Sequence, residues 1–480
     1  MLGTPTLRVP PRSGATTGTG GAKARSAACA AYDGAVAVLR AELAALPAGA
    51  PVRLGKRTSN LFRTREASTG PRLDVSAFTG VLHVDPVART ADVLGMTTYE
   101  DLVAATLPHG LMPLVVPQLK TITLGGAVTG LGIESSSFRS GTPHESVLDM
   151  DVLTGDAEVL HVTPDGEHAE LFAGFPNSYG TLGYALRLRI ELEPVRPYVH
   201  LRHLRCPSVE AAAELMSRVC AAREHDGEPV AFVDGTWFSP TDVRVTLASW
   251  ADTAPSLSDY TGRRIYYRSV RAGGDDWLTV HDYLWRWDTD WFWCSRAFGA
   301  QNPRVRRWWP RKLLRSDVYW RIVAFERRHR WKTRWDLRRG EPAREDVIQD
   351  IEVPVGALAE FMDVFAREVP IEPVWLCPLQ QRDAGRDWPL YHLDPDVLYV
   401  NVGFWSTVPL RPGQTDGDHN RLIERLVDRL GGRKSLYSTS FYSEADFSRQ
   451  YGGRAYTTLK RRYDPRGRLL DLYDKCVRSR

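Results

Sequence analysis

Residues 117–141, Pro-Gln-Leu-Lys-Thr-Ile-Thr-Leu-Gly-Gly-Ala-Val-Thr-Gly-Leu-Gly-Ile-Glu-Ser-Ser-Ser-Phe-Arg-Ser-Gly, constrain the fold more than any other stretch. Glycines, hydroxyls and short apolar side chains crowd together there without a charge run, so backbone must approach something closely. Gly125, Gly126, Gly130 and Gly132 can take positive φ and present N–H groups, while Thr121, Thr123, Thr129 and Ser135 to Ser137 supply hydroxyls. This composition suits phosphate and flat polar rings. It also suits a glycine-rich β corner, and glycines alone do not separate the two.

The spacing is that of neither common nucleotide motif: G-x-G-x-x-G between strand and helix and G-K-[ST] are both absent here. Two further segments accompany the stretch. Lys56-Arg57-Thr58-Ser59-Asn60-Leu61-Phe62 lies upstream, and Gly180-Thr181-Leu182-Gly183-Tyr184 lies downstream, before a strand-like run from Leu186 to Leu192. Together the three segments resemble the flavin-binding core of the vanillyl-alcohol-oxidase superfamily, in which a T-x-G-G turn, a second glycine pair and a Ser-rich segment wrap FAD. The resemblance implies that Lys56, Arg57, Thr58, Ser59 and Asn60 form the first pyrophosphate loop. It places Pro117, Gln118, Thr121, Thr123, Gly125, Gly126, Thr129 and Gly130 around the dinucleotide. Gly132, Ile133, Glu134, Ser135 and Ser136 continue that wall, and Gly180, Thr181, Leu182 and Gly183 approach the ring system. Many oxidases of the superfamily bond a histidine of the first loop to the flavin. Asn60 stands nearest that place here, and no cysteine falls between Cys29 and Cys206, so FAD is expected to be non-covalent.

Within the superfamily the chain resembles the 24-dehydrocholesterol reductase (Diminuto) family and its bacterial relatives. Gly132-Ile133-Glu134-Ser135-Ser136-Ser137 matches that family's signature. The likeness continues through Phe292-Trp293, Gln301-Asn302-Pro303, Pro373-Val374-Trp375-Leu376-Cys377-Pro378 and Leu472-Tyr473-Asp474-Lys475, covering roughly residues 50 to 476. It implies an α+β, two-domain (PCMH-type) flavin fold with an α+β cap. The expected divisions are a disordered tail at 1–27, an FAD-binding domain at 28–197, a cap and substrate domain at 198–434, and a C-terminal segment at 435–480 that returns to the flavin domain.

At 480 residues the chain is long for one core, and its 43% hydrophobic residues are ample for two. A net charge of +4 gives no whole-molecule attraction to nucleic acid. The six cysteines lie far apart without a C-x-x-C pair, which points away from zinc and disulfides and toward a reducing compartment. No run of 18 apolar residues and no signal-type apolar segment occurs, so the expected location is cytoplasmic and peripheral to a membrane. The membrane expectation comes from residues 277–339. Trp277, Trp285, Trp287, Trp291, Phe292 and Trp293 precede a run from Arg304 to Arg339 with fourteen Lys/Arg, three Asp/Glu, and Trp308, Trp309, Trp320, Trp331 and Trp335 interleaved. Such mixtures suit an anionic bilayer surface, an ordinary solvated basic face, or stacking on single-stranded nucleic acid; no nucleic-acid module accompanies them.

The resemblance implies reduction of an isolated lipid alkene: a sterol side-chain alkene, or the 10-methylene group of a phospholipid-bound acyl chain that an S-adenosylmethionine-dependent methyltransferase has made. NADPH would reduce FAD, a protein acid would protonate the alkene, and hydride would complete the reduction. An unactivated alkene requires a desolvated acid and cation-stabilising aromatic faces. Glu134 is the first candidate for that acid, followed by His281, Asp282 and Tyr283. An oxygen-using flavin oxidase and a non-catalytic lipid-binding protein are the readings from other classes.

Overall fold

The computed structural model describes residues 19–47, 49–56, 62–63, 70–329, 334–335 and 338–478, with side chains from residue 27 onward except those of residues 327 and 328. Arg57, Thr58, Ser59, Asn60 and Trp331 lie outside the described residues.

Two large antiparallel sheets organise the chain. In the smaller one the strands run in the order Val81–Asp85, Thr90–Leu94, Tyr184–Pro194, Val147–Leu153 and Val159–Val162, and Leu111–Pro113 pairs with the far end of Tyr184–Pro194. The second sheet has eight strands, in the order Gly274–Thr279, Tyr198–Cys206, Asp242–Ala251, Phe232–Ser239, Val374–Leu379, Tyr399–Pro409, Arg344–Pro354 and Arg433–Lys434. Helices pack beside sheets whose neighbours are antiparallel, which is the α+β class expected.

Strand alternation sorts the eight-stranded sheet into two faces. Val347, Ile351, Val353, Val400, Val402 and Phe404 enter one apolar core together with the helices Val209–Ala222, Leu358–Glu368 and Asp418–Arg429. The opposite face, carrying Phe232, Trp375, Cys377 and Tyr399, joins a second core shared with Val93, Leu102, Leu124 and Leu188 of the glycine-rich half. Asp234, Asp350, Glu352 and Asn401 alternate onto this same face. Polar side chains are thereby pressed between the two halves of the molecule.

Local chemistry sets the element ends. Thr98 caps the helix Tyr99–Thr106 by accepting from Asp101 N, and Ser208 caps Val209–Ala222 by accepting from Ala211 N. Arg223, at φ 55°, stops the latter helix. Three expectations change. Apolar residues at helical spacing predict a helix over residues 28–46, and that helix begins at Thr19, within the stretch expected to be tail. The run Leu73-Asp74-Val75-Ser76 reads as strand-like in the sequence, and the strand is confined to Arg72–Leu73, paired with Arg53–Leu54. The sequence reads as a helix over residues 354–369, and the helix starts at Leu358 because Pro354 closes the preceding strand.

The C-terminal segment lies against the glycine-rich half. Lys460 Nζ donates to Thr181 O at 2.9 Å, Lys475 Nζ to Tyr179 O at 2.6 Å, and Arg468 Nη1 to Leu43 O at 2.8 Å.

Candidate functional site

The T-x-G-G turn folds as the short helix Leu124–Thr129. Thr123 caps it by accepting from Gly126 N at 3.2 Å, and Lys56 Nζ donates to the same hydroxyl at 3.2 Å. None of Gly125, Gly126, Gly130 and Gly132 takes positive φ, contrary to the expectation. Glycine is required there by space. A Cβ on Gly125 would stand 2.7 Å from Gly95 O, and one on Gly132 would stand 2.9 Å from Pro117 Cγ. Positive φ occurs instead in the downstream turn, at Gly180 (75°) and Gly183 (152°).

These segments converge. Tyr179 N donates to Thr129 O at 2.8 Å, next to Gly130, and Thr181 Oγ1 donates to Ser178 O at 2.8 Å, above the buried Leu182. Gln118 Nε2 donates to Ile133 O at 3.2 Å, and Ser136 Oγ donates to Leu114 O at 2.8 Å. Thr121 lies half-buried beside the same turn. Phe62, which follows the first loop, bridges to Ser438, and its N–H reaches Tyr437 O at 2.9 Å.

Around this convergence several buried polar atoms have no hydrogen-bond partner: Arg63 Nε and Nη2, Asn177 Oδ1, Ser178 Oγ, Tyr179 OH and Ser438 Oγ. Each such orphan costs about 1–3 kcal/mol. With the Lys56 cation beside Gly126, they fit a large polar group with an anionic end, as FAD has. Arg63 also stacks over the Tyr179 ring at 4.7 Å. The resemblance already placed Asn177, Ser178 and Tyr179 in the segment that approaches the ring system, whereas Arg63 and Ser438 were passed over because each is an ordinary residue outside the glycine pattern.

The Ser-rich signature turns toward the eight-stranded sheet. Glu134 Oε1 accepts from Ser135 Oγ at 2.6 Å and from Arg286 Nη2 at 2.8 Å, and the same Nη2 reaches Asp234 Oδ2 at 3.0 Å. Trp287 and Trp375 indoles also donate to Asp234 Oδ2, at 3.3 and 3.4 Å. Tyr283 OH lies 2.8 Å from Ser135 Oγ, and its ring stacks under the guanidinium at 4.0 Å. Every member is at most 3% exposed. Burial raises the Asp234 carboxyl above its usual range against the opposing pull of Arg286. The cluster is a sealed clamp between the two halves, and neither Arg286 nor Asp234 carried a sequence signal. His281 and Asp282 lie away from it at the surface, 3.3 Å apart, with side chains 58% and 37% exposed. They lack the desolvation asked of an acid.

A second acidic cluster sits farther along the same sheet face. Asn401 Nδ2 donates to Asp350 Oδ1 at 3.2 Å, and the Tyr437 hydroxyl is within hydrogen-bonding reach of the same carboxyl. Trp405 Nε1 donates to Tyr437 OH at 3.0 Å. Glu352, fully buried, accepts from Tyr391 and, at 3.5 Å, from Ser435 Oγ. Burial pushes Asp350 up to about 6, and it pushes Glu352 well above the carboxylate range with help from Asp350.

The tryptophan-rich segment divides in two. Trp285, Trp287, Trp291, Phe292 and Trp293 are at most 5% exposed and belong to the core, which corrects their expected membrane-facing role. Their partners come from distant strands: Phe292 stacks on Trp405 with ring centroids 4.4 Å apart. Arg306 is likewise buried, paired to Asp290 at 2.6 Å. Farther along, Val305, Trp308, Leu313, Ile322, Phe325 and Trp335 are exposed, Trp308 by 80%, among the exposed Arg304, Arg307, Arg311, Lys312 and Arg321. Among the described residues no helix is long and apolar enough to cross a membrane.

Residues 36–163 match the FAD binding domain family. The chain is 25% identical over 426 residues to a Delta(24)-sterol reductase homolog of Caenorhabditis elegans, covering 83% of this chain and 77% of that protein. It is 24% identical over 463 residues to the Delta(24)-sterol reductase of Arabidopsis thaliana, covering 89% and 80%. A shorter match, 34% over 123 residues, or 25% of this chain and 26% of the relative, is to the decaprenylphosphoryl-beta-D-ribose oxidase of Mycolicibacterium smegmatis. These matches support an FAD-linked oxidoreductase. The matched stretch contains Lys56 and the Gly125–Gly126 turn.

Proposed function

We propose that this protein is an FAD-dependent reductase of an isolated carbon–carbon double bond in a lipid. In this reading it converts the 10-methylene group of a phospholipid-bound C18 acyl chain to 10-methyl, with NADPH as the hydride source. The observation that carries the reading is likeness along more than four-fifths of the chain to proteins named for reducing a sterol. Bound non-covalently, FAD supplies the hydride chemistry. Lys56 and the Gly125–Gly126 turn hold its anionic end, and Arg63, Ser178, Tyr179 and Ser438 present their unpartnered atoms to it.

The lipid character of the substrate draws support from two surfaces. Phe62, Trp291, Phe292, Trp293, Trp320 and Trp405 build a continuous aromatic wall beside the flavin-side segments, with Phe62–Trp320 centroids at 4.9 Å and Phe62–Trp291 at 5.7 Å. The helix Ser316–His329 turns Trp320 and Val323 toward that wall and exposes Ile322 and Phe325. Apolar residues among arginines suit an anionic bilayer from which an acyl chain is drawn. The protein would act in the cytoplasm at the membrane surface, after a methyltransferase that makes the 10-methylene lipid, and without nucleic acid.

The names of the relatives favour a second substrate, a sterol side-chain alkene. Expression beside a 10-methylene-forming methyltransferase, with mass spectrometry of membrane fatty acids, separates the two. Conversion to the saturated 10-methyl chain supports the acyl reading, while accumulation of 10-methylene lipid with reduction of an added Delta(24) sterol supports the other. Fast reoxidation by oxygen with peroxide release would place the protein among oxidases. A colourless protein after FAD supplementation would remove the redox reading altogether. Trp308→Ser with Arg307→Ser should weaken binding to anionic vesicles about tenfold and leave FAD content unchanged; unaltered vesicle binding would remove the membrane face.

A further inference from the structure

We infer that Asp350, braced by Asn401 and Tyr437, is the proton donor to the alkene. The inference rests on the reaction proposed above and names the acid that reaction needs.

Three observations single out this carboxyl. The first is its place: Asp350 pairs across the sheet with Gly403, and a Cβ at Gly403 would stand 2.4 Å from Asp350 Oδ1. Only a residue without a side chain at 403 lets the carboxyl lie over the neighbouring strand, next to Trp405. The second is access. Asp350 sits deep between the sheets yet keeps accessible surface, and so do its neighbours Ile348, Trp405, Tyr437 and Trp320. Their contacts are contiguous: Ile348 pairs with Trp405, Trp405 bonds to Tyr437, and the Tyr437 ring meets Phe62 at 5.8 Å, which meets Trp320. These partly exposed residues form one contiguous row that ends at Phe62, in the segment that follows the first loop. The third is surroundings: the row beside Asp350 is aromatic, with Trp405, Tyr437, Phe62 and Trp320, and aromatic faces stabilise a carbocation.

The other buried acids lack one or more of these features. Glu134 and Asp234 share Arg286 in a sealed clamp. Asp288 is 1% exposed and bonded to Ser316 Oγ and Lys120 N. Glu352 has no exposure and is engaged by Tyr391 and Ser435. Burial holds Asp350 near 6, so its neutral form is populated close to neutral pH.

In the step, the Asp350 O–H bond breaks and its proton bonds to the less substituted alkene carbon through the π pair. The tertiary carbon would then be quenched by hydride, the chemistry that FAD reduced by a nicotinamide dinucleotide would supply when bound. Asp350 is left as a carboxylate accepting from Asn401 and Tyr437, and it regains a proton from solvent. The ionisable groups facing it are Glu352 on its own strand and Tyr437; Tyr437 in turn faces Tyr179 across the interface, and Tyr179 faces Arg63 and Cys476. Burial pushes both tyrosines up, and it holds Glu352 neutral well above the carboxylate range.

The test uses the FAD-loaded full chain as wild type, Asp350→Asn, Asp350→Glu and Tyr437→Phe, with FAD stoichiometry and visible spectra reporting loading. Without lipid, infrared difference spectra across pH 4 to 8 should show a buried carboxylic acid in wild type titrating near 6. The signal should be absent in Asp350→Asn and shifted to higher pH in Tyr437→Phe, because the phenol no longer donates to the carboxylate. With lipid alkene, reoxidation of the reduced flavin should fall by about 10²–10⁴ in Asp350→Asn and recover in part in Asp350→Glu. Wild-type reoxidation by Asp350→Asn, or an infrared titration that it leaves intact, overturns the assignment. Should Asp350→Asn fail to load FAD, an unmoved titration in Tyr437→Phe overturns it. A wild type that no lipid alkene reoxidises sinks the substrate reading instead.

Discussion

Two buried acidic clusters face the interface between the halves of this protein, and they are built on opposite electrostatic plans. Around Glu134 and Asp234, a guanidinium sits between the carboxylates, and indoles and a hydroxyl donate to them, leaving Glu134 Oε2 and Arg286 Nε without a partner. Around Asp350 and Glu352, no cation bonds to either carboxyl among the described residues, and only neutral donors serve them. Burial with a counter-ion holds a joint together, and burial without one holds a proton. The first cluster ties the Ser-rich signature to the eight-stranded sheet, while the second leaves the partly exposed Asp350 beside a row of aromatic side chains. The difference teaches that depth alone does not identify a functional carboxylate; the charge of its partners does.

The comparison breaks most readily at Arg286. Arg286→Met leaves two buried carboxylates without their cation and should destabilise the fold by about 3–5 kcal/mol, read as a large drop in melting temperature. Adding Glu134→Gln and Asp234→Asn should restore much of it; if the single variant melts like wild type, the clamp has no structural role. Asp350→Asn should act in the opposite direction. The folded-state value of Asp350 lies above its unfolded value, so the stability from holding the proton is complete below about pH 4 and is lost as pH rises through about 6. At pH 8 wild type therefore carries a cost of at most ~3 kcal/mol that the amide avoids. The variant should melt higher than wild type at pH 8 and equal to it at pH 4, even as reduction is lost. A pH-independent difference would remove the uncompensated-acid interpretation.

Gly403→Ala is expected to follow, at about 1–3 kcal/mol, because the new Cβ would meet Asp350 Oδ1 at 2.4 Å. Its diagnostic is a displaced carboxyl titration, which simple overpacking elsewhere would not produce. The smallest effect should come from Tyr283→Phe. Losing the bond to Ser135 costs about 1 kcal/mol and should leave the pH profile of reduction in place. A lost acid limb in that variant would return the donor role to the Ser135–Tyr283 side.

Much of the fold was legible in the chain. The spacing of apolar residues over Val209–Ala222 predicts an amphipathic helix, and the helix has those ends because Ser208 begins it and an apolar stripe defines its face. The hairpin at 147–162 and the strand Tyr184–Pro194 follow period-two patterns. The glycine-rich turn was legible as a close-approach site, although the sequence did not tell whether glycine answered to φ or to space. Arg344–Pro354 escaped notice because Glu345, Asp350 and Glu352 make it resemble a solvated segment, whereas both of its faces are covered. The tryptophans before residue 294 resembled a surface belt for the same reason: their partners, such as Trp405 and Trp375, are about a hundred residues away.

The chain by itself determined where the backbone must be small, where helices begin, and that a dinucleotide suits residues 117–141, because propensity, capping and steric need are local properties. Only the tertiary structure decided which charges are shared. Whether a carboxylate meets Arg286 or only Tyr437 and Asn401 depends on strands brought together from distant parts of the chain. The dielectric and partners that set a proton's affinity exist only once those strands have met.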